Sequence, residues 1–241
     1  NIRNADCVII GAGAGASTAA GIQYGGKRFT DNFGEFIEKY GVHYMTDMYA
    51  AGFYPYPSEE AKWGYWSKHA LMNRFDPPAL PLYTELYDLV KNKEYFVLTT
   101  NVDHQFYKAG FDEKRIFATQ GDYGKIQCQK ACHSKTYDAK DLFRKMDKAR
   151  RDCLIPSELV PKCPVCGGNM AMNLRCDNYF VEDEAWHEAA DRYAGFLEQH
   201  KDKKVVLLEL GVGFNTPIII RFPFEKMVRE NSSYSLIRLN M

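Results

Sequence analysis

Neither sign of charge is in excess in this chain: 31 Lys and Arg stand against 31 Asp and Glu over 241 residues. No net field draws it to a polyanion, and no basic patch stands out along the sequence, which excludes non-specific nucleic-acid binding. Long apolar runs are missing as well. Val205 to Leu210 and Pro217 to Ile220 are among the longest, far below the roughly 20 residues that span a bilayer. No signal or transit peptide is visible ahead of the strand-like Cys7-Val8-Ile9-Ile10, so the cytosol is the expected compartment. The opening Asn1 in place of Met leads us to expect a truncated start. Internal repeats and low-complexity segments are absent.

What is present is 46% hydrophobic and 26% charged, the composition of a soluble globular protein large enough for one main domain and an appendage. Cys7 to Ile10 followed by Gly11-Ala12-Gly13-Ala14-Gly15-Ala16-Ser17 reads as strand, glycine turn, helix. Residues 24–76 change to aromatics with scattered charge, and predict a mostly helical insertion. The α/β rhythm resumes with a helix over Leu82 to Asn92, a strand over Tyr95 to Thr99, a helix from His104 to Ala109 closed by Gly110, and a strand at Arg115 to Ala118. Residues 122–175 interrupt it again. Glu184 to Gln199 then reads as a helix, Val205 to Leu210 as a buried strand, and Pro217 to Leu239 as a last crossover. The expected fold is α/β: a Rossmann-like parallel sheet over 1–23, 77–121 and 176–241, the helical insertion at 24–76, and a metal-binding module at 122–175.

Seven cysteines is an odd number, and without an oxidising compartment their grouping points to metal before disulfides. Cys128-x-x-x-Cys132 and Cys163-x-x-Cys166-Gly167-Gly168 form two close pairs, each able to turn two thiolates toward one tetrahedral ion. Zinc is the expected metal. Four protein ligands leave no open position, so the site is structural. Cys7, Cys153 and Cys176 remain as plain thiols, with Cys153 in reserve should Cys132 fail.

A glycine turn after a first strand lets the backbone approach a pyrophosphate. The spacing departs from GxGxxG, and no acidic residue about 20 positions on ends a second strand. A tight turn without a ligand stays open, and an ordinary dehydrogenase is disfavoured. Gly13-Ala14-Gly15-Ala16-Ser17-Thr18-Ala19-Ala20-Gly21-Ile22 resembles the GAGxSxxSGI segment of sirtuins. Thr100-Asn101-Val102-Asp103 with Ala109-Gly110 resembles their QNIDxLHxxAG block, Asn173-Leu174-Arg175 their LRP, Gly211-Val212-Gly213-Phe214 their GTSL, and Leu239-Asn240 their strand-end Asn. These blocks keep the family's order along almost the whole chain. The resemblance implies an enzyme that takes NAD as co-substrate and breaks its glycosidic bond. It places Gly13, Ala14, Gly15 and Ser17 on the phosphate turn, Asn101 and Asp103 at the nicotinamide ribose and Asn240 on the adenosine side, with Thr100, Gln120, Gly211, Val212, Gly213 and Asn215 also binding the cofactor. Tyr24, Arg28 and Phe29 stand where the family's loop covers nicotinamide.

Three departures carry information: Gln120 for the family's catalytic His, Thr100 for its Gln, and Gln23 to Phe29 in place of its PDFR loop. With the aromatic insert, they resemble the macrodomain-linked (class M) microbial sirtuins. An amide has no basic lone pair, so Gln120 can orient a hydroxyl but cannot take its proton. Deacylation, which needs that base, is expected to be disabled while NAD cleavage persists. The expected activity is NAD-dependent protein ADP-ribosyl transfer, with Asn101, Asp103, Gln120 and Arg175 as its catalytic set. A residual deacylase and a non-catalytic NAD sensor remain as alternatives. For class M, the resemblance implies a lipoylated, glycine-cleavage H-like carrier as acceptor, a macrodomain protein that reverses the mark, and an oxidative-stress setting.

Overall fold

The computed structural model describes residues 2–41, 43–214 and 216–240. In chain order the helices are α1 (Ala14–Ala19), α2 (Gly26–Tyr40), α3 (Met48–Gly52), α4 (Glu59–Ala70), α5 (Pro81–Val90), α6 (Gln105–Lys108), α7 (Lys140–Ala149), α8 (Glu184–Gln199) and α9 (Arg221–Glu230). The strands are β1 (Cys7–Ala12), β2 (Glu94–Thr99), β3 (Ile116–Ala118), β4 (Gly121–Cys128), β5 (Thr136–Asp138), β6 (Met170–Leu174), β7 (Val205–Leu210) and β8 (Tyr234–Leu239). Among the described residues, no helix is long and apolar enough to cross a membrane. The chain divides into two compact units, residues 1–21, 78–122 and 174–241 forming the first and 22–77 with 123–173 the second.

The first unit is built on a parallel sheet in the order β3-β2-β1-β7-β8. Parallel strands need crossover connections, and those connections bury both faces, which is why β1 and β7 are apolar at nearly every position. Alternate residues divide between the faces. Val8, Ile10 and Val97 pack with Tyr83, Val90 and Phe106 on one side. Cys7, Ile9, Phe96 and Leu207 pack with Ala189, Phe196 and Phe224 on the other. Strand order reverses between β1 and β7, because the chain runs outward through β2 and β3 before returning to β7. Ligands of open α/β sheets bind at the carboxyl ends of the strands beside such a reversal.

The helical insertion and the cysteine module, separate in the sequence reading, share the second unit. Their apolar faces need each other: Trp63 of α4 lies 6.1 Å from Phe143 of α7, and the carbonyl of Cys153 backs onto Gly64, where an added Cβ would stand 2.2 Å away. Residues 122–175 are also more regular than their sequence suggests. They hold α7, which buries Phe143 and Met146 one turn apart, and a sheet in the order β5-β4-β6. Short strands and a single amphipathic helix leave little periodicity among so many lysines.

His69 lies in this unit among Tyr24, Tyr65, Trp66 and Tyr123. It is fully buried, and among the described residues neither ring nitrogen makes a hydrogen bond of ordinary geometry. Burial first, and the Arg28 charge second, push its pKa down to about 3. A base neutral in the fold must be charged on acid unfolding, so its contribution is complete above its unfolded value of about 6.5 and is lost as pH falls toward 3. One proton gives a slope of about 1.4 kcal/mol per pH unit across that window. Melting curves from pH 7 to 4 should fall more steeply for the wild type than for His69→Phe; parallel curves would contradict this.

Candidate active site and metal centre

The reversal point of the sheet is closed by a backbone lattice between the two glycine segments. Gly13 N–H donates to the Leu210 carbonyl and Gly15 N–H to the Gly211 carbonyl, both at 2.9 Å, while Gly211 N–H donates to the Leu239 carbonyl at 2.8 Å. Asn240 Nδ2 donates to the Val212 carbonyl at 3.2 Å. Ala14 and Gly213 stand exposed at the rim. A groove of about 650 Å³ opens beside this lattice, lined by Gly15, Ala16, Leu86, Leu210, Gly211 and Asn240 among others, and mostly apolar in the manner of small-ligand sites.

Behind the turn lies a buried polar network. Ser17 Oγ donates to Asp103 Oδ2 and lies 2.9 Å from Tyr83 Oη. Asn101 Nδ2 donates to the Gly13 carbonyl at 2.9 Å and reaches Tyr83 Oη at 3.4 Å. The Asn101 amide is held by Thr99 Oγ1 at 3.0 Å, Thr100 N–H donates to the Ala12 carbonyl at 3.0 Å, and Gln105 N–H caps Asp103 Oδ1 at 3.0 Å. The structure therefore brings Gly13, Ser17, Asn101 and Asp103 into one hydrogen-bonded cluster. Asp103 is only 2% exposed, and burial raises its pKa against the lowering effect of the Ser17 and Gln105 donors.

That burial has a measurable consequence. A carboxyl whose folded pKa lies above its unfolded value stabilises the fold when protonated, and this contribution is lost as pH rises through the folded value. Ionising Asp103 is therefore a cost to the fold. Asp103→Asn keeps the shape and the Gln105 contact, so it should melt at or above the wild-type temperature at pH 8, with the advantage shrinking toward pH 4. A variant less stable than wild type at pH 8 would count against this electrostatic account.

Gln120 and Arg175 sit together at the edge of the first unit. Arg175 N–H donates to the Gln120 carbonyl at 3.1 Å, and its Nε to the Thr119 carbonyl at 3.4 Å. Its guanidinium pairs with Glu182 and lies over Phe180, 4.4 Å from the ring centroid. Trp186 Nε1 donates to the same Thr119 carbonyl at 3.2 Å. Gln120 Nε2 has a long contact of 3.4 Å to Thr119 Oγ1. Tyr24 and Arg28 fall in the second unit. Arg28 is half-buried there, spending its donors on Asn73 Oδ1 at 2.8 Å and the Gln23 carbonyl at 2.9 Å, and burial lowers its pKa. Asn215, expected from sequence to bind the cofactor, lies outside the described residues.

The metal centre belongs to the second unit. The sulfurs of Cys128, Cys132, Cys163 and Cys166 all lie within 4.8 Å of one another. Two contacts link the pairs, Cys128 to Cys166 at 3.7 Å and Cys132 to Cys163 at 3.6 Å. The second knuckle is shaped by the bond from Gly167 N–H to the Cys163 carbonyl at 2.8 Å, with Gly167 in the left-handed region at φ +69°. Backbone amides aimed at sulfur, that of Cys132 foremost, pull the Cys128 pKa down to about 6. Among the described residues these four sulfurs are the gathered donors, the donor set of a closed zinc site. Cys153, the reserve ligand, lies instead in the aromatic core with Phe36 and Tyr65.

No family model matches the chain. Among solved structures, the fold is similar to that of a Sir2 homologue in complex with ADP-ribose, over 98% of this chain and 81% of that one, with a TM-score of 0.58 at 15% identity. It is likewise similar to a Sir2 homologue–NAD complex, over 99% and 79% of the two chains, with a TM-score of 0.57 at 14% identity. Identities this low establish the fold alone. A protein ADP-ribosyltransferase of Staphylococcus aureus goes further, being 42% identical over 240 residues, which is 99% of this chain and 75% of that relative. The chain belongs to the same family as that transferase and has the Sir2 fold. A probable bifunctional ADP-ribose hydrolase/ADP-ribosyltransferase of Fusarium oxysporum is 32% identical over 252 residues, and there this chain spans only 41% of the relative's length.

The residues of the first unit fit NAD: a small-residue turn at the sheet reversal, an apolar groove beside it and a buried Ser17–Asp103–Asn101 network beneath. Sequence reasoning passes over Tyr83, which joins Ser17 to Asn101, and Trp186, which bonds the peptide next to Gln120. Both sit at ordinary helical core spacings, so nothing local marks them. His133 has Nδ1 3.1 Å from Cys132 Sγ.

Proposed function

We propose that this sirtuin splits NAD at the bond between nicotinamide and ribose and transfers the ADP-ribose to a protein acceptor. The observation that carries the reading is Gln120, an amide at the position where the family holds its base, seated beside Thr119 and backed by Arg175. Cleaving the glycosidic bond calls for a polarised leaving group, a shielded pocket and stabilisation of an oxocarbenium-like transition state, none of which demands a strong base. Asn101 and Asp103 serve that step. Deacylation would require a proton acceptor that Gln120 does not offer, and loss of a general base typically costs about 10²–10⁴ in rate. The ADP-ribosyltransferase activity of the bacterial relative agrees with transfer.

Within this reading the protein is of the macrodomain-linked, class M type and acts in the cytosol on a lipoylated, glycine-cleavage H-like carrier, with a macrodomain protein removing the mark. Support for a paired hydrolase comes from the fungal relative, whose name joins ADP-ribose hydrolase to transferase. Incubation with radiolabelled NAD, a lipoylated carrier and an acetyl-lysine peptide tests the whole. Label on the carrier supports transfer, acyl-ADP-ribose in its place establishes a deacylase, and NAD binding without nicotinamide release leaves a sensor. Asn101→Ala should reduce nicotinamide release by about 10²–10³, the typical loss for one positioned donor.

A further inference from the structure

A histidine–carboxylate couple in the first unit has no part in the chemistry assigned above. His104 Nδ1 lies 2.8 Å from Asp122 Oδ2, and the imidazole lies flat on Tyr107, with ring centroids 4.0 Å apart and planes at 11°. A carboxylate accepts and does not donate, so Nδ1 carries the proton, and in the neutral imidazole Nε2 is the nitrogen with the lone pair. Among the described residues Nε2 has no hydrogen-bond partner, and a quarter of the side chain is open to solvent, at 25%.

The backbone is unusual too. His104 has φ +66°, a left-handed conformation that is strained for a residue other than glycine, persists where the surroundings impose it and clusters at functional sites. The couple also joins the two segments that carry the proposed chemistry. His104 follows Asp103 directly, and Asp122 stands two residues after Gln120.

We propose that His104, oriented by Asp122, is the general base that takes the acceptor's proton, the role that the Gln120 amide leaves open. This rests on the transferase reading. The C1′–N bond to nicotinamide breaks with its electron pair leaving on nicotinamide. An O–H or N–H nucleophile of the acceptor protein forms the new bond to C1′, and its proton passes to His104 Nε2 and from there to water.

Three variants test the base. Asn tolerates the left-handed backbone, and its amide still donates to Asp122, so His104→Asn should melt and bind NAD as the wild type does while transferring ADP-ribose about 10²–10⁴ more slowly. His104→Gly keeps the backbone and opens a space that added imidazole should fill, restoring transfer; His104→Asn should gain nothing from imidazole. Without NAD, ¹⁵N NMR should show His104 protonated at Nδ1 and bare at Nε2, and a mixture of tautomers in Asp122→Asn. Wild-type transfer by His104→Asn, indifference of His104→Gly to imidazole, or a proton on Nε2 would each overturn the proposal. Should the wild type release nicotinamide and label no protein, the transferase reading falls and water is the acceptor. The same variants then judge His104 by the rate of ADP-ribose release.

Discussion

Gly211→Ala lowers stability by about 3 kcal/mol or more, about 6–12 °C in melting temperature for a chain of this size, and weakens NAD binding at least tenfold. Gly211 adopts φ +58°, where a side chain is strained, and its added Cβ would stand 2.2 Å from Ala16 N and 2.4 Å from Gly15 C. These are backbone atoms with no flexible end to yield. The same backbone carries the lattice that sets the turn, through the bonds from Gly15 N–H to Gly211 and from Gly211 N–H to Leu239. Relief of the clash therefore displaces the segment expected to hold the phosphates. Gly213 is the internal control: nothing lies within 4 Å of its Cβ position, and Gly213→Ala should stay within about 0.5 kcal/mol of wild type. Scanning calorimetry and titration with NAD read both quantities, and the account fails if the two variants behave alike.

Much of the first unit was legible because its strands are buried on both faces and read as short apolar runs between punctuating glycines. Cys7 to Ile10, Tyr95 to Thr99 and Val205 to Leu210 lie within β1, β2 and β7, differing from the observed ends by at most two residues. Gly110, expected as a left-handed cap, has φ +91°. What sequence spacing could not show is contact made across many residues. Tyr83 reaches Ser17 over 66 positions, and the Asp122 partner of His104 lies 18 residues away; neither pairing leaves a local pattern. The metal quartet was legible for the opposite reason, since a knuckle places two ligands within a few residues, and only the joining of the two knuckles needed the fold. The regularity of residues 122–175 was hidden because α7 turns an amphipathic face inward over only ten residues, while its outer face carries mixed charge.

Removing the metal should have the largest effect of any perturbation on the second unit. In small zinc domains the metal's apparent binding free energy is about 10–16 kcal/mol and counts as folding free energy, because no preformed site exists in the unfolded chain. Here α7 and the aromatic cluster around Phe33 and Tyr65 supply a core of their own, so the loss falls on the knuckles and the sheet β5-β4-β6. A chelator such as EDTA should therefore split calorimetric melting into an early transition of this module and a later one of the parallel sheet. Elemental analysis should find one zinc per chain in the wild type and in Cys7→Ser, Cys153→Ser and Cys176→Ser, and little in Cys163→Ser. His133 gives the finer reading. Its Nδ1 lies 3.1 Å from Cys132 Sγ, and its Nε2 lies 2.8 Å from Tyr137 Oη, so it orients a ligand without being one. Loss of such an outer partner typically costs about 10–100-fold in metal affinity, and His133→Ala should lower zinc affinity by that factor while keeping one site per chain. Full zinc in Cys163→Ser, or none in Cys153→Ser, would mean that the four thiols gathered here are not the ligands.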